Sequence, residues 1–299
     1  MYVVMGATGN TGGVVANSLL AKGQQVRAIG WNAERLKALA AKGAQPFVGD
    51  ISDSQTLTNA FTGAKAVYVM IPPDMRSHDF RAFQDRLTEA IAAAIEKARV
   101  EYAVSLSSIG ADKSEHTGPV VGLHHLEQRL NRIAGLNVFH LRAGYFMENT
   151  LAQIGIIKAH GITSGPLRHD LKLPMIATRD IGAFAAEVLW GLDFKRETHE
   201  LLGQRDISMT EAAAIIGTAI GNPDLAYIQA PDEQVRMGLT QTGLSLNTAN
   251  LILEMSAAMN SGYMRAWEQR SARNSSPTSY EAFVAEEFVP LYQSRAAAA

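Results

Sequence analysis

Three glycines, Gly6, Gly9 and Gly12, recur at intervals of three in the segment VVMGATGNTGG. They follow a short apolar run, Tyr2–Met5, and stand at the mouth of a helical pattern over Thr11–Lys22. Residues without a Cβ let a chain turn sharply at such a place and bring its backbone close to a pyrophosphate. They also let the helix pack on the sheet. The amides of the helix's first turn then face the phosphates, with the helix dipole in support. Thr8, Asn10 and Thr11 add side-chain hydrogen-bonding groups to the same loop. The competing reading is a plain Gly-rich turn; the coincidence of strand, loop and helix favours a dinucleotide site. Other chemistry is excluded or unsupported. The chain has no cysteine, so thiolate catalysis, disulfides and Cys-based zinc sites are absent. Its histidines form no metal-spaced set such as HExxH, and no metal is expected.

The elements that must position this loop alternate along the first half of the chain. Apolar runs at 2–5, 25–30, 45–48, 66–71, 102–107 and 137–142 read as strands. Helical patterns separate them: Thr11–Lys22 stopped by Gly23, Ala33–Lys42 stopped by Gly43, one begun by a Ser52/Gln55 capping box and stopped by Gly63, Asp79–Arg99, and Pro119–Ile133. Such alternation implies βαβ units, a parallel sheet and right-handed crossovers. Residues 150–178 look irregular, Arg179–Gly191 is a helix, and Glu200–Leu202 is a candidate seventh strand. From Ser208, which has capping-box spacing with Glu211, the pattern is mostly helical, and the Ala296–Ala299 tail is expected to fray. The expected fold class is α/β, a Rossmann-type doubly wound parallel sheet with a smaller, mainly helical substrate lobe. The dinucleotide-binding domain spans 1–150 and is completed by about 176–204; the lobe takes 151–175 and 205–295. In open sheets of this kind ligands bind at the C-terminal ends of the strands, which places Tyr145, Phe146 and Asn149 at the pocket.

The 299 residues suffice for one such α/β unit with a buried core. A formal net charge of −2 gives no field that would draw the chain to nucleic acid or to anionic lipid. No apolar run reaches the length of a membrane span, and the start lacks the basic and apolar regions of a signal peptide. The expectation is a cytoplasmic protein acting on a small molecule, with no nucleic-acid or membrane partner.

The spacing GATGNTGG resembles the short-chain dehydrogenase/reductase superfamily. Leu141–Asn149 (LRAGYFMEN) and Thr178–Gly182 (TRDIG) are similar to segments of its atypical, NmrA-like branch. That branch holds dye, quinone and isoflavone-type reductases alongside redox-sensing regulators. The resemblance implies that Asp50 and Ile51, after the third strand, approach the adenine, the alternative being an Asp that only caps a turn. It also implies that Met70, Ile71 and Pro72 line the cofactor at the end of the fourth strand, the alternative being plain core. At the end of the second strand Gly30-Trp31-Asn32 offers no carboxylate to repel a 2′-phosphate. Arg35 could reach that phosphate and Trp31 could stack on adenine, so NADP(H) is favoured over NAD(H).

Most of the superfamily uses Tyr-x-x-x-Lys. Counting back from Leu141-Arg142 puts the lysine position on or beside His124, and the tyrosine position then on Val120. The resemblance assigns His124 the nicotinamide ribose, with Ser107 as partner. Ser108, Phe146 and Asn149 then face the substrate, and Tyr145 lies beside the nicotinamide. His124 and the neighbouring His125 point about 100° apart on a helix, so only one faces the cleft; both being exposed helix residues is the alternative. The implied function is an NAD(P)H-dependent reductase of a small aromatic or quinone-like electrophile. The alternative is a non-enzymatic NAD(P)-binding redox sensor with a protein partner. A nucleotide-sugar epimerase fits less well, because that chemistry leans on the missing Tyr-Lys pair.

Overall fold

Alternate residues of the first strand, β1 (Tyr2–Val4), enter different cores: Tyr2 and Val4 pack to one side of the sheet, Val3 to the other. This is the pattern of a parallel strand covered by helices on both faces. A computed structural model of the chain describes residues 1–294. The Ala296–Ala299 run and residue 295, the last of the expected lobe, lie outside them. Five further strands follow in the first half, β2 (Val26–Gly30), β3 (Gln45–Val48), β4 (Ala66–Val69), β5 (Tyr102–Ser108) and β6 (Asn137–Ala143). Short strands β7 (Tyr145–Phe146), β8 (Thr163–Gly165) and β9 (Leu173–Ile176) precede β10 (Arg196–Leu201), and β11 (Asp206–Ile207) and β12 (Tyr227–Gln229) come last. The central sheet has the order β10-β6-β5-β4-β1-β2-β3, with every neighbouring pair parallel. The doubly wound α/β class is therefore the observed one. Its seventh strand is the one glimpsed at Glu200–Leu202, begun four residues earlier.

Helices α1 (Asn10–Ala21) and α2 (Ala33–Ala40) cover one face of the sheet, joined later by α7 (Thr178–Gly191). The other face is covered by α3 (Ser54–Phe61), α4 (Phe80–Ala98) and α5 (Val120–Asn131). Gly182 lets α7 lie against α1: a Cβ there would stand 2.6 Å from the Cβ of Val14 and 2.7 Å from the Thr11 carbonyl oxygen. The α3 cap differs from the expected Ser52/Gln55 box. Asp53 caps instead, accepting from the backbone N–H groups of Gln55 and Thr56, so the helix begins one residue later than expected. The Ser208/Glu211 box forms as expected and opens α8 (Met209–Ile220).

Residues 150–178 are more regular than their glycines and prolines suggest. They hold the end of a 3₁₀ turn, α6 (Gln153–His160), β8 and β9. A third apolar cluster joins these elements to α8, to α10 (Leu246–Asn260) and to the segment 280–288, centred on Tyr280, Phe283 and Phe288. Between α8 and α10 lies α9 (Asp232–Gln241), none of whose residues is fully buried. No described helix is long and apolar enough to cross a membrane.

Candidate functional site

The chain order reverses between β1 and β4, and the Gly-rich loop leaves β1 at that switch point, where open α/β sheets form their ligand crevice. Gly6 turns the loop with φ +61°, a conformation that a side chain disfavours. The Gly9 N–H donates to the Gly6 carbonyl at 2.8 Å, and Gly9 is the extended N-cap of α1 without any side-chain cap. Helix α1 therefore begins with first-turn amides that no side chain satisfies. Gly9 and Gly12 have different reasons for being glycine. A Cβ on Gly12 would stand 2.4 Å from the Gly6 carbonyl oxygen, inside the fold; one on Gly9 would meet only that oxygen, at 3.3 Å, and otherwise fill the space outside the loop. A bare, open cradle before a helix N-terminus fits a pyrophosphate. Thr8 and Asn10 lie on its rim. Thr11 is buried and its hydroxyl accepts from Tyr68 at 3.0 Å, so the backbone N–H is what it offers outward.

The adenosine end is organised around α2. Asn32 is its N-cap, its side chain accepting from the N–H groups of Glu34 and Arg35, so the amide is spent on the helix. Arg35 reaches back to the loop and donates from Nη2 to the Thr8 carbonyl at 2.8 Å. Trp31 is 78% exposed beside it. Asp50 accepts from both the N–H and the hydroxyl of Ser52, at 2.8 and 2.7 Å, and so closes a turn after β3. Ile51 packs on the core beneath.

Beyond the C-terminal ends of β4, β5 and β6 lies a cavity of about 320 Å³. It gathers Met70, Ile71, Ser107, Ser108, Tyr145, Phe146 and Asn149 from the expected set. Pro73 takes the wall place expected of Pro72. The walls are overwhelmingly apolar, and five of the side chains are methionines: Met70, Met75, Met255, Met259 and Met264. Sequence reasoning found only Met70. The i, i+4 spacing of Met255 and Met259 was a visible signal, but it reads as ordinary core until α10 is placed over the strand ends. Burial pushes the Tyr145 phenol up to about 12 against a hydrogen bond with Asn149, so it keeps its proton at neutral pH.

Ser107 is held from behind. Its hydroxyl donates to Glu127 Oε1 at 2.5 Å, and the same carboxylate receives Arg142 Nε at 2.9 Å and Nη2 at 2.6 Å. Glu127 is 2% exposed. Burial works against the Arg142 charge, but the Glu127 carboxylate outweighs it and holds the guanidinium above its usual value. This buried triad, joining β5, α5 and β6, was not foreseen.

His124 is not on the cavity wall. From α5 it is Val120 and Leu123 that face the cavity. The His124 ring lies in a separate groove between α4 and α5 with His125, Asp85 and Arg129, and its Nδ1 meets the Ala111 carbonyl at 2.8 Å. The nicotinamide-ribose contact expected of it is thus not prepared by this arrangement. What the ring does is pin the turn that follows β5. His125 bonds Asp85 at 3.0 Å, also away from the cavity.

The segments LRAGYFMEN and TRDIG meet in space. Glu148 Oε1 accepts from the Thr178 N–H at 2.9 Å and from its hydroxyl at 2.5 Å, at the start of α7. Asp180 accepts from the N–H and hydroxyl of Thr278. The two segments therefore tie the cavity floor to the sheet and to the C-terminal cluster.

The sequence model of the NmrA-like family matches residues 2–287. An NAD(P)H azoreductase of Xenophilus azovorans is 27% identical over 268 residues, covering 88% of this chain and 89% of that protein. The crystal structure of an NADPH-dependent quinone oxidoreductase from Escherichia coli, complexed with NADPH, superposes with a TM-score of 0.83 at 23% identity, covering 96% of this chain and 100% of that one. The Citrobacter sp. triphenylmethane reductase complexed with NADP(H) gives 0.79 at 18% identity, over 96% of this chain and 100% of the other.

Proposed function

This chain belongs to the NmrA-like family, and on that premise we propose that it is an NAD(P)H-dependent reductase of a small, flat, aromatic or quinone-like acceptor, with NADP(H) preferred. The observation that carries the reading is the methionine-walled cavity at the ends of β4–β6, beside the bare glycine cradle. Relatives whose names give them quinones, azo compounds and NADPH support it.

The amides after Gly9 hold the pyrophosphate, and Arg35, already drawn to the loop, stands for the 2′-phosphate with no carboxylate opposing it. Trp31 offers its exposed face to adenine. Met70, Ile71 and Tyr145 flank the reactive end of the dinucleotide. When bound, the reduced nicotinamide supplies the hydride. The acceptor lies in the cavity, where thioether and aromatic walls exclude water and adapt to different flat rings. The Asn149 amide donates a hydrogen bond to the oxygen or nitrogen on which negative charge develops, and the Ser108 hydroxyl, which donates to the Ile109 carbonyl at 2.9 Å, adds a second by turning away from it. Glu127 and Arg142 keep Ser107 oriented at the same edge. His124 is a positioning residue, acting through the Ala111 carbonyl on the turn that carries Ser108. The part of the third apolar cluster that comes from 151–175 and 205 onward supplies Leu173, Met259 and Met264 to the wall and serves as the substrate lobe.

Asn149→Ala tests the assignment. Loss of one such donor lowers kcat by about a hundredfold, with NADPH affinity unchanged; an unchanged kcat contradicts the role. The sensor reading has one observation in its favour: Val120 stands in the tyrosine position and His124 turns away from the wall. A sensor would bind NADPH and turn over no acceptor.

A further inference from the structure

At the open end of the methionine-walled cavity the surface changes character. A second cavity is lined by Lys113, Ser261, Gly262, Tyr263, Arg265, Ala266 and Trp267, and Arg265 belongs to the walls of both. The residues come from a strap that leaves α10 and from the turn after β5. Along the strap, Met264 points inward and is buried, Arg265 stands at the boundary, and Trp267 is 64% exposed. The Lys113 ammonium lies 5.3 Å from the centres of both the Tyr263 and the Trp267 rings.

The mouth is built rather than draped. The N–H groups of Trp267 and Glu268 both donate to Glu200 Oε2, at 2.7 and 2.9 Å, while the Met264 N–H donates to the Ala258 carbonyl at 2.9 Å. Gly110, in the facing turn, lets the strap approach: a Cβ there would stand 2.6 Å from Met264 Cγ.

Its charge is unbalanced. Asp112 Oδ2 pairs with Lys113 at 2.8 Å and cancels that cation. Glu268 is occupied by the Glu200 N–H and by Asn274. Arg265 is exposed on the walls of both cavities, and its side chain makes no hydrogen bond or ion pair with any described residue. One unpaired guanidinium therefore stands at the door of an apolar cavity that fits a flat ring, in the same mouth as two exposed aromatic side chains. Guanidinium binds planar oxyanions through paired N–H donors, and exposed indole and phenol rings stack on arenes.

We propose that this mouth is a subsite for an acidic substituent, a sulfonate or carboxylate, carried on the aromatic acceptor. The inference rests on the reductase reading for what enters the inner cavity. The reducible ring goes in among the methionines, and the anionic end stays on Arg265 with Tyr263 and Trp267 beside it. Acidic arenes are then preferred over neutral ones of the same shape through binding, not through the rate of the chemical step.

The test uses the full chain and ligands that need not be reduced. Trp267 fluorescence reports binding of 2-naphthalenesulfonate and of its neutral counterpart 2-naphthalenesulfonamide. The expected result is about tenfold tighter binding of the sulfonate, the size of one charge-assisted hydrogen bond at a partly exposed site. Added salt reduces that margin, and Arg265→Gln, an exposed substitution, abolishes it. Equal affinities in the wild type overturn the proposal, as does a preference that survives Arg265→Gln. In turnover, Arg265→Gln should raise KM for 1,4-naphthoquinone-2-sulfonate about tenfold with kcat unchanged, and so remove its KM advantage over 1,4-naphthoquinone. Arg265-dependent sulfonate binding without turnover of either quinone would keep the subsite and remove the reductase reading. Turnover of both quinones with no Arg265 dependence would do the reverse.

Discussion

Two glycines three residues apart should respond in opposite ways to the same methyl group. Gly9 is extended, φ −97° and ψ −178°, a conformation alanine adopts freely, and its added Cβ would meet only the Gly6 carbonyl oxygen at 3.3 Å. A compatible Gly→Ala change gains about 0.4–1 kcal/mol by narrowing the unfolded ensemble, which offsets that one tight contact. Gly9→Ala should therefore unfold within about 1 kcal/mol of the wild type. Its methyl group, however, fills the open side of the cradle. Each charge-assisted hydrogen bond lost between phosphate and amide costs about 1.5–3 kcal/mol, so the NADPH affinity should fall at least about tenfold, equivalent to 1.4 kcal/mol. Gly12→Ala is the control. Its Cβ would lie 2.4 Å from the Gly6 oxygen and 2.7 Å from the Met5 oxygen, both backbone atoms. Overpacking of that kind destabilises by about 1–3 kcal/mol. Urea unfolding and NADPH fluorescence titration on both variants decide the matter. A folded Gly9→Ala protein with wild-type affinity refutes the phosphate cradle, and a Gly9→Ala protein less stable than Gly12→Ala refutes the geometry behind it.

Arg35→Ala should weaken NADPH binding by about tenfold and leave NADH nearly untouched, because the guanidinium beside Thr8 is the cation assigned to the 2′-phosphate; equal losses for both cofactors would remove Arg35 from that role. His140 is completely buried, with Nδ1 2.7 Å from the Ser105 hydroxyl and Nε2 3.2 Å from Asn131 Oδ1. Burial lowers its pKa from 6.5 to about 4, with Arg142 and Arg196 assisting and Glu127 opposing. Above pH 6.5 the ring is neutral whether the chain is folded or not, and its full contribution is present; below it only the unfolded chain gains the proton, until the folded ring titrates near 4. Stability should fall by about 2 kcal/mol between pH 7.5 and 5, and His140→Gln should flatten that slope; a variant that keeps it places the acid sensitivity elsewhere.

The sheet was legible because each of its signals is local. Apolar runs of strand length, glycine stops and the spacing of Gly6, Gly9 and Gly12 depend on neighbours a few residues away. The cofactor loop was readable for the same reason. Asp53 displaced Ser52 as the α3 cap because an Asx turn at Asp50 had already claimed the Ser52 N–H and hydroxyl. What His124 touches depends on the rotation of α5, and long-range packing sets that rotation: Leu126 and Leu130 go to the core and Glu127 turns in to meet Arg142. Spacing from a motif cannot carry such information. The strap at 261–268 has no periodic pattern, and its place comes from Glu200, more than sixty residues earlier, receiving two of its amides. The methionine wall shares that origin, with side chains from α10 and the strap closing over strand ends from the first half of the chain.

The central claim is that the apolar cavity is where a bound dinucleotide meets an acceptor. It is tested most directly by following NADPH oxidation at 340 nm with 1,4-naphthoquinone beside a titration of NADPH binding on the same preparation. The account predicts saturable turnover on the order of 1 s⁻¹ or faster, lost when Met259→Trp fills the cavity and retained when Trp267→Ala alters only the mouth. Tight NADPH binding with no oxidation of the quinone, or of azo and triphenylmethane acceptors, would contradict it, as would turnover that survives the filled cavity.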